Sequence, residues 1–224
     1  MGRFEMNHNA TPLVRDRVSK EFEPIPGTHL LRRQYRSYEE YLAHQAEKLP
    51  LKHDLVAEAE PEYQRIIEER FAGLDECFTG KAVLCLGARL GGEVRGFSAL
   101  GALAIGIDIQ PGPCNRHVLY GDFHDIQFAD ATFDAVFTNA LDHAFDLDRI
   151  CREILRVLRP GGSFYLEIGC VPPERYESLD TSDQSLVLAD LGRYFDLDWS
   201  LDVHNKTSLI DWPARLHHLV RRKG

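Results

Sequence analysis

Apolar positions recur along this chain with two different periods, and the change between them falls near residue 80. Up to about Phe78 the spacing is helical and no clear strand is visible. In "SYEEYLAHQAEKL", Tyr38, Tyr41, Leu42, Gln45 and Leu49 share one helical face. Ser37 followed three places later by Glu40 forms a capping box at its start, and Pro50 is expected to stop the run. A second helix is expected to begin near Pro61 in "PEYQRIIEERFAGL", with Tyr63, Ile66, Ile67 and Phe71 as its apolar stripe. From Lys81 onward, short apolar runs alternate with helical segments. Strands are expected at "AVLCL", "LAIGID", "HVLY", "FDAVFT" and "SFYLEI", with helices after Glu93 and at "DLDRICREILRVL", the latter ended by Pro160, Gly161 and Gly162. "LDWSLDVHN" and "ARLHHLVRRK" add two late strands. Such alternation predicts an α/β fold, a parallel sheet covered on both faces with ligands at the carboxyl ends of its strands. Residues 1–78 read as a helical extension and 79–224 as the main domain.

Composition narrows the partners. A chain of 224 residues with 44% hydrophobic content suffices for one well-buried domain and an additional segment. The net charge of -9 argues against a broad grip on nucleic acid or an anionic membrane, which needs clustered Lys and Arg; the short run "LRRQYR" does not overturn that balance. No apolar stretch approaches the roughly 20 residues that span a bilayer. The start "MGRFEMNHNATPLVRDR" lacks the apolar run of a secretory signal, so a cytoplasmic location is expected. Cys77, Cys85, Cys114, Cys151 and Cys170 are odd in number and show no CxxC spacing, which suggests neither a disulfide framework nor a zinc clasp. The sequons at Asn9 and Asn205 carry no weight without a secretory signal.

Candidate chemistry starts where "AVLCL" runs into Gly87, Ala88, Arg89, Leu90, Gly91 and Gly92. Dinucleotide sites use GxGxxG, whose second glycine admits a pyrophosphate at a helix N-terminus. Arg89 occupies that position here and would crowd it. The next strand nevertheless ends in Asp108, where a carboxylate can accept hydrogen bonds from both hydroxyls of an adenosine ribose. The pattern favours a nucleoside over a dinucleotide; the alternative for the glycines is a tight turn with no ligand.

The segment "GDFHDIQFADATFDAVFTNALDHAFDLDRICREILRVLRPGGSFYLEI", taken with the glycine loop and "GIDIQPG", resembles the central half of class I S-adenosylmethionine-dependent methyltransferases, in the group with the methyltransferase type 11 domain. The resemblance covers about Lys81 to Ile168. It implies a Rossmann-like fold with a mainly parallel seven-stranded sheet flanked by helices, S-adenosyl-L-methionine as cofactor, S-adenosyl-L-homocysteine as product and a small-molecule acceptor. It places Gly87, Ala88, Arg89 and Gly91 beneath the methionine part of the cofactor, Asp108 at the ribose and Ile109 beside the adenine. Asp122 would hydrogen-bond the adenine amino group and Phe123 would give apolar contact, while Asn139 and Ala140 would face the sulfonium and the substrate. Two positions depart from the family pattern. Cys85 stands where an acid is common, and Arg89 replaces the middle glycine; Arg89 either approaches the cofactor carboxylate or pairs with an acid such as Glu93.

The chemistry implied is an in-line displacement at the methyl group, in which the protein excludes water and aligns nucleophile, methyl and sulfur. A hydroxyl or protonated amine also needs a proton acceptor. His143 in "NALDHAFDLD", with an ordinary pKa near 6.5, is the first candidate, and Asp142 is its orienter or alternate. The competing role for His143 is to cap the following helix or line the pocket. No metal is expected, because Asp142, Asp146 and Asp148 lie at a helix start, where acids are favoured by the dipole. The acceptor would be chosen by the N-terminal helices and by "GCVPPERYESLD", which offer Arg32, Arg33, Tyr35, Arg36, Tyr38, Tyr41, His44 and Arg175 to an anionic, glycosidic or aromatic molecule. Oxygen methylation of a small metabolite or sugar-containing product is favoured over nitrogen methylation. The extension would act as a substrate cover or as the contact of a homodimer. Two other classes compete: a nicotinamide-dependent oxidoreductase, opposed by Arg89, and a non-catalytic S-adenosylmethionine-binding accessory protein.

Overall fold

In the computed structural model, which describes residues 21–169, 171–208 and 211–222, the stretch read as helical contains a hairpin. Strand β1 (Phe22–Pro24) pairs antiparallel with β2 (Leu31–Arg33). Gly27 turns the chain at φ +77°, and Thr28 Oγ donates to Ile25 O and accepts from Leu30 N. Strands of three residues are too short to show alternation, so their local pattern carried no strand signal.

Helix α1 (Tyr38–Ala46) begins as the capping box predicts, with Ser37 Oγ accepting from Glu40 N at 3.3 Å. Its successor α2 (Lys48–Ala72) corrects two expectations. Pro50 lies in the first turn of α2, where a missing N–H costs nothing, and Pro61 lies inside the helix instead of opening it. An interior proline costs about 3 kcal/mol. Burial of Val56, Ala59, Tyr63, Ile67 and Phe71 along one continuous stripe offsets it.

The alternating part follows the expected order: β3 (Ala82–Leu86), α3 (Gly92–Ala99), β4 (Leu103–Asp108), β5 (Val118–Tyr120), β6 (Phe133–Thr138), α4 (Leu147–Val157), β7 (Leu158–Gly169), α5 (Gln184–Leu191), β8 (Phe195–Lys206) and β9 (Asp211–Arg221). The seven strands lie in the order β5-β4-β3-β6-β7-β9-β8, parallel except where β9 runs antiparallel between β7 and β8. This is the Rossmann-like arrangement, and both faces are covered. Leu84 and Leu86 of β3 face a core with Ile107, Val136, Ile150, Ile154, Phe164 and Leu166. Val83 and Cys85 face a second core with Ile67, Phe71, Phe97, Phe137 and Tyr165. The extension is therefore packed into the second core through α2. No helix among the described residues is long and apolar enough to cross a membrane.

Cys77, Cys85, Cys114 and Cys151 are free thiols, while Cys170 and Asn9 lie outside the described residues, as does the side chain of Leu49. Asn205 is 1% exposed; its side chain is taken up by Glu167 and Arg70, so it is no glycosylation acceptor.

Candidate functional site

The strand order reverses between β3 and β6, which opens a crevice at their carboxyl ends. The glycine loop forms its floor. Gly87 has φ +68°, and a Cβ there would stand 2.6 Å from Ala140 Cβ, so only glycine fits. Gly87 N and Ala88 N both donate to Ile107 O, which ties the loop to the end of β4. Gly91, at φ +90°, turns the chain into α3. Asp108 at the tip of β4 accepts Arg89 N on Oδ2 at 2.9 Å and Gln110 N on Oδ1 at 2.7 Å. Each oxygen keeps a second lone pair for an incoming hydroxyl. Burial raises the carboxyl pKa of Asp108, opposed by those two N–H groups and by the Arg89 charge. Ile109 follows directly, partly buried.

On the far rim, Asp122 accepts from Tyr38 OH and from both the backbone N and Nδ1 of His124. Nε2 of His124 accepts from Phe145 N and Asp146 N at 3.1 Å, which leaves its proton on Nδ1. One acceptor position of Asp122 remains for a ligand amino group, and Phe123 lies 3.9 Å from where a Gly87 Cβ would stand. These bonds, with burial opposing them, hold the Asp122 carboxyl below the usual range.

Beyond β6, Asn139 donates to Tyr63 OH at 2.7 Å and Ala140 N donates to Thr138 Oγ at 3.1 Å. Asp142 and His143 follow on a single 3-10 turn, Leu141–His143. His143 Nδ1 donates to Tyr176 O at 3.0 Å, and its Nε2 accepts from Lys48 Nζ at 2.7 Å. Burial, reinforced by the Lys48 charge, pushes its pKa down to about 3, so the imidazole is neutral. Asp142 Oδ1 is buried without a hydrogen-bond partner, and burial raises its carboxyl pKa. Ligand atoms of Asp142, His143 and Glu177 come within 4.8 Å of one another. The donor set does not fit a metal, because the Lys48 ammonium already occupies Nε2 of the histidine.

The loop is thus tied to Asp108 by a hydrogen bond and stands close to Ala140 and Phe123, with Asp142 and His143 on the turn that follows Ala140. Lys48, Tyr63, Glu93 and Glu177 neighbour these residues without having been singled out as site residues, Tyr63 and Glu93 from buried positions; periodicity placed Tyr63 in a packing stripe and says nothing about which end of α2 meets the sheet. Several residues offered to an acceptor are instead structural. Arg33 reaches Glu21, Glu177 O and Glu174 O; Arg32 lies over Phe145; Tyr35 OH bonds His44 Nδ1 and Ser178 Oγ. They fasten β2 and α1 across residues 171–180.

A family model described as a methyltransferase domain matches residues 84–166. Among curated proteins, the chain is 33% identical over 119 residues to the 24-methylenesterol C-methyltransferase 2 of Oryza sativa subsp. japonica, across 46% of this chain and 33% of that protein. It is 28% identical over 153 residues to the demethylmenaquinone methyltransferase of Thermobifida fusca, across 62% of this chain and 65% of that protein. The chain spans about a third of the length of the sterol methyltransferases it matches. The 1,6-didemethyltoxoflavin-N1-methyltransferase of Burkholderia thailandensis, whose structure holds 1,6-didemethyltoxoflavin and S-adenosylhomocysteine, matches with a TM-score of 0.63 at 15% identity, over 91% of this chain and 100% of that one. At that identity the likeness is one of fold.

Proposed function

We propose that this chain is a class I S-adenosylmethionine-dependent methyltransferase, supported by the methyltransferase-domain match over residues 84–166, and that it transfers a methyl group from S-adenosylmethionine to an oxygen of a small acceptor. The observation that carries the proposal is the Asp108 carboxylate, held by one N–H on each oxygen beside a loop that only glycine can close against Ala140. When bound, the cofactor supplies an activated methyl on a good leaving group. The chain's own residues then have three tasks. Asp108, Asp122 and Phe123 hold the nucleoside, while the loop from Gly87 to Gly91 supports its amino-acid end. The hairpin and α1, fastened over residues 171–180, act as a cover that excludes water and shapes the acceptor site. Asp142 takes the acceptor's proton, supported by its buried, partnerless Oδ1 and by the engagement of both His143 nitrogens.

The acceptor class is a small metabolite or a sugar-containing product. An acceptor panel with labelled cofactor in which only amines or carbon nucleophiles react would reverse the oxygen assignment. The cofactor site itself is tested by calorimetry with S-adenosylhomocysteine on the wild type and on Asp108→Ala. Micromolar binding, about -8 kcal/mol, is expected for the wild type. Loss of both carboxylate acceptors should weaken it by about 100-fold or more, each bond to a charged group being worth about 1.5–3 kcal/mol. No binding to the wild type would sink the proposal.

A further inference from the structure

Glu93, the second residue of α3, is 1% exposed, and neither of its carboxylate oxygens has a hydrogen-bond partner. Burying such a group is costly unless a proton or a cation neutralises it. The charged and titratable groups facing it come from four elements: Arg89 from the loop, Glu60 and Tyr63 from α2, Asp108 from β4 and Cys85 from β3. None of them satisfies it. Glu60 is committed to Arg95 at 3.2 Å, and the Tyr63 hydroxyl takes up Asn139. The Arg89 guanidinium lies over the Tyr63 ring, 5.6 Å from its centroid, and forms no ion pair with Glu93 within 4.0 Å among the described residues. Arg89 is held there by its backbone, at φ +44° with its N–H on Asp108. A buried carboxyl without a hydrogen-bond partner and a guanidinium without an ion pair among the described residues thus share the surroundings of the glycine loop, near the residue that marks the nucleoside end. A zwitterion that carries its ammonium and its carboxylate on one carbon would complete both.

We propose that Glu93 and Arg89 form a two-charge clamp for the α-amino-acid end of the cofactor, Glu93 receiving its ammonium and Arg89 its carboxylate. The clamp rests on the S-adenosylmethionine reading above and makes Glu93 the residue that discriminates the full cofactor from a bare nucleoside thioether. It has a consequence for protons. Burial pushes the Glu93 carboxyl up to about 8, opposed by Arg89 and reinforced by Glu60, so near pH 7 the free protein holds a proton there. Seating an ammonium against it favours the carboxylate, and that proton passes to the buffer.

The test compares S-adenosylhomocysteine with 5′-methylthioadenosine, which keeps the nucleoside and the thioether but lacks the amino-acid end. Both are titrated calorimetrically at pH 7 in two buffers of different ionisation enthalpy, into the wild type and Glu93→Gln. The wild type is expected to prefer S-adenosylhomocysteine and to release close to one proton with it and none with the thioether. Glu93→Gln should lose about 10- to 100-fold in affinity for S-adenosylhomocysteine, as befits a lost charge-assisted bond, and should release no proton. Its affinity for the thioether should stay within about twofold, which also reports that it is folded. Unchanged S-adenosylhomocysteine affinity in Glu93→Gln, or equal proton release with the two ligands in the wild type, overturns the clamp while the nucleoside site stands. Failure of the wild type to bind either ligand removes the reading beneath it. Should Glu93→Gln not fold, the proton difference in the wild type decides.

Discussion

Asp142 and His143 are neighbours on one short turn, yet their side chains are engaged very differently. The histidine has a donor on Nε2 and an acceptor on Nδ1, and the lysine beside it keeps it neutral. It can position Lys48 and the segment around Tyr176, but neither nitrogen is available to a substrate proton. The aspartate keeps one oxygen buried and unpartnered, and its raised pKa makes it a stronger base than an ordinary carboxylate. Asp142→Asn is therefore expected to lower kcat by about 10²- to 10⁴-fold, the usual range for a lost general base, with S-adenosylhomocysteine affinity unchanged. The wild-type rate should rise with pH through that raised pKa, because the ionised form is the active one. A full loss in His143→Gln with Asp142→Asn still active would return the base role to the histidine. Both residues were visible in "NALDHAFDLD"; which of them is free was not, because Lys48 comes from a helix far away in sequence.

At the level of elements, α2 connects the extension to the sheet. Phe71 is fully buried and its ring meets Phe78, Phe97, Phe137 and Tyr165, so a single side chain links two helices to β6 and β7. Phe71→Ala should cost about 3–5 kcal/mol, through lost burial and a cavity that so many rings cannot close. A denaturant midpoint within error of the wild type would show that α2 is dispensable to the core. Four residues upstream of Phe71, Ile67 meets Gly96 of α3, where an added Cβ would come within 2.8 Å. The same helix carries Lys48 near its start and Tyr63 in its middle, so its packing also sets the partners of His143 and Asn139. Pro61 suggested a helix start because proline is favoured there, but tertiary burial overrode that local preference.

For the molecule as a whole, buried histidines tie stability to pH. His143 is pushed to about 3, and His217, 1% exposed with Nε2 unpartnered, to about 4, burial being the largest cause in both. The unfolded chain binds protons at these positions below about 6.5, whereas the folded chain does not until pH 4 or 3. Their contribution is therefore present above 6.5 and is lost as pH falls through that window. Wild type should lose stability relative to His217→Gln between pH 6.5 and 4, read as diverging melting temperatures. Parallel curves would show that His217 titrates normally in the fold.

The sequence by itself determined the α/β alternation, six strands of the main sheet to within three residues at their ends, and the glycine loop leading to Asp108. These follow from local period and from residue types that only certain backbone turns accept. Strand β7, by contrast, starts five residues before "SFYLEI" and takes in Pro160, Gly161 and Gly162, which locally read as a helix stop, and α5 was not read. The tertiary structure alone decided the hairpin, the unbroken α2 and the company each charge keeps. Arg89 and Glu93 are four residues apart on the chain, but whether they pair depends on Tyr63, Glu60 and Asp108 from other elements. Electrostatic environment is set by what packing brings near and what it buries, and neither quantity is local in sequence.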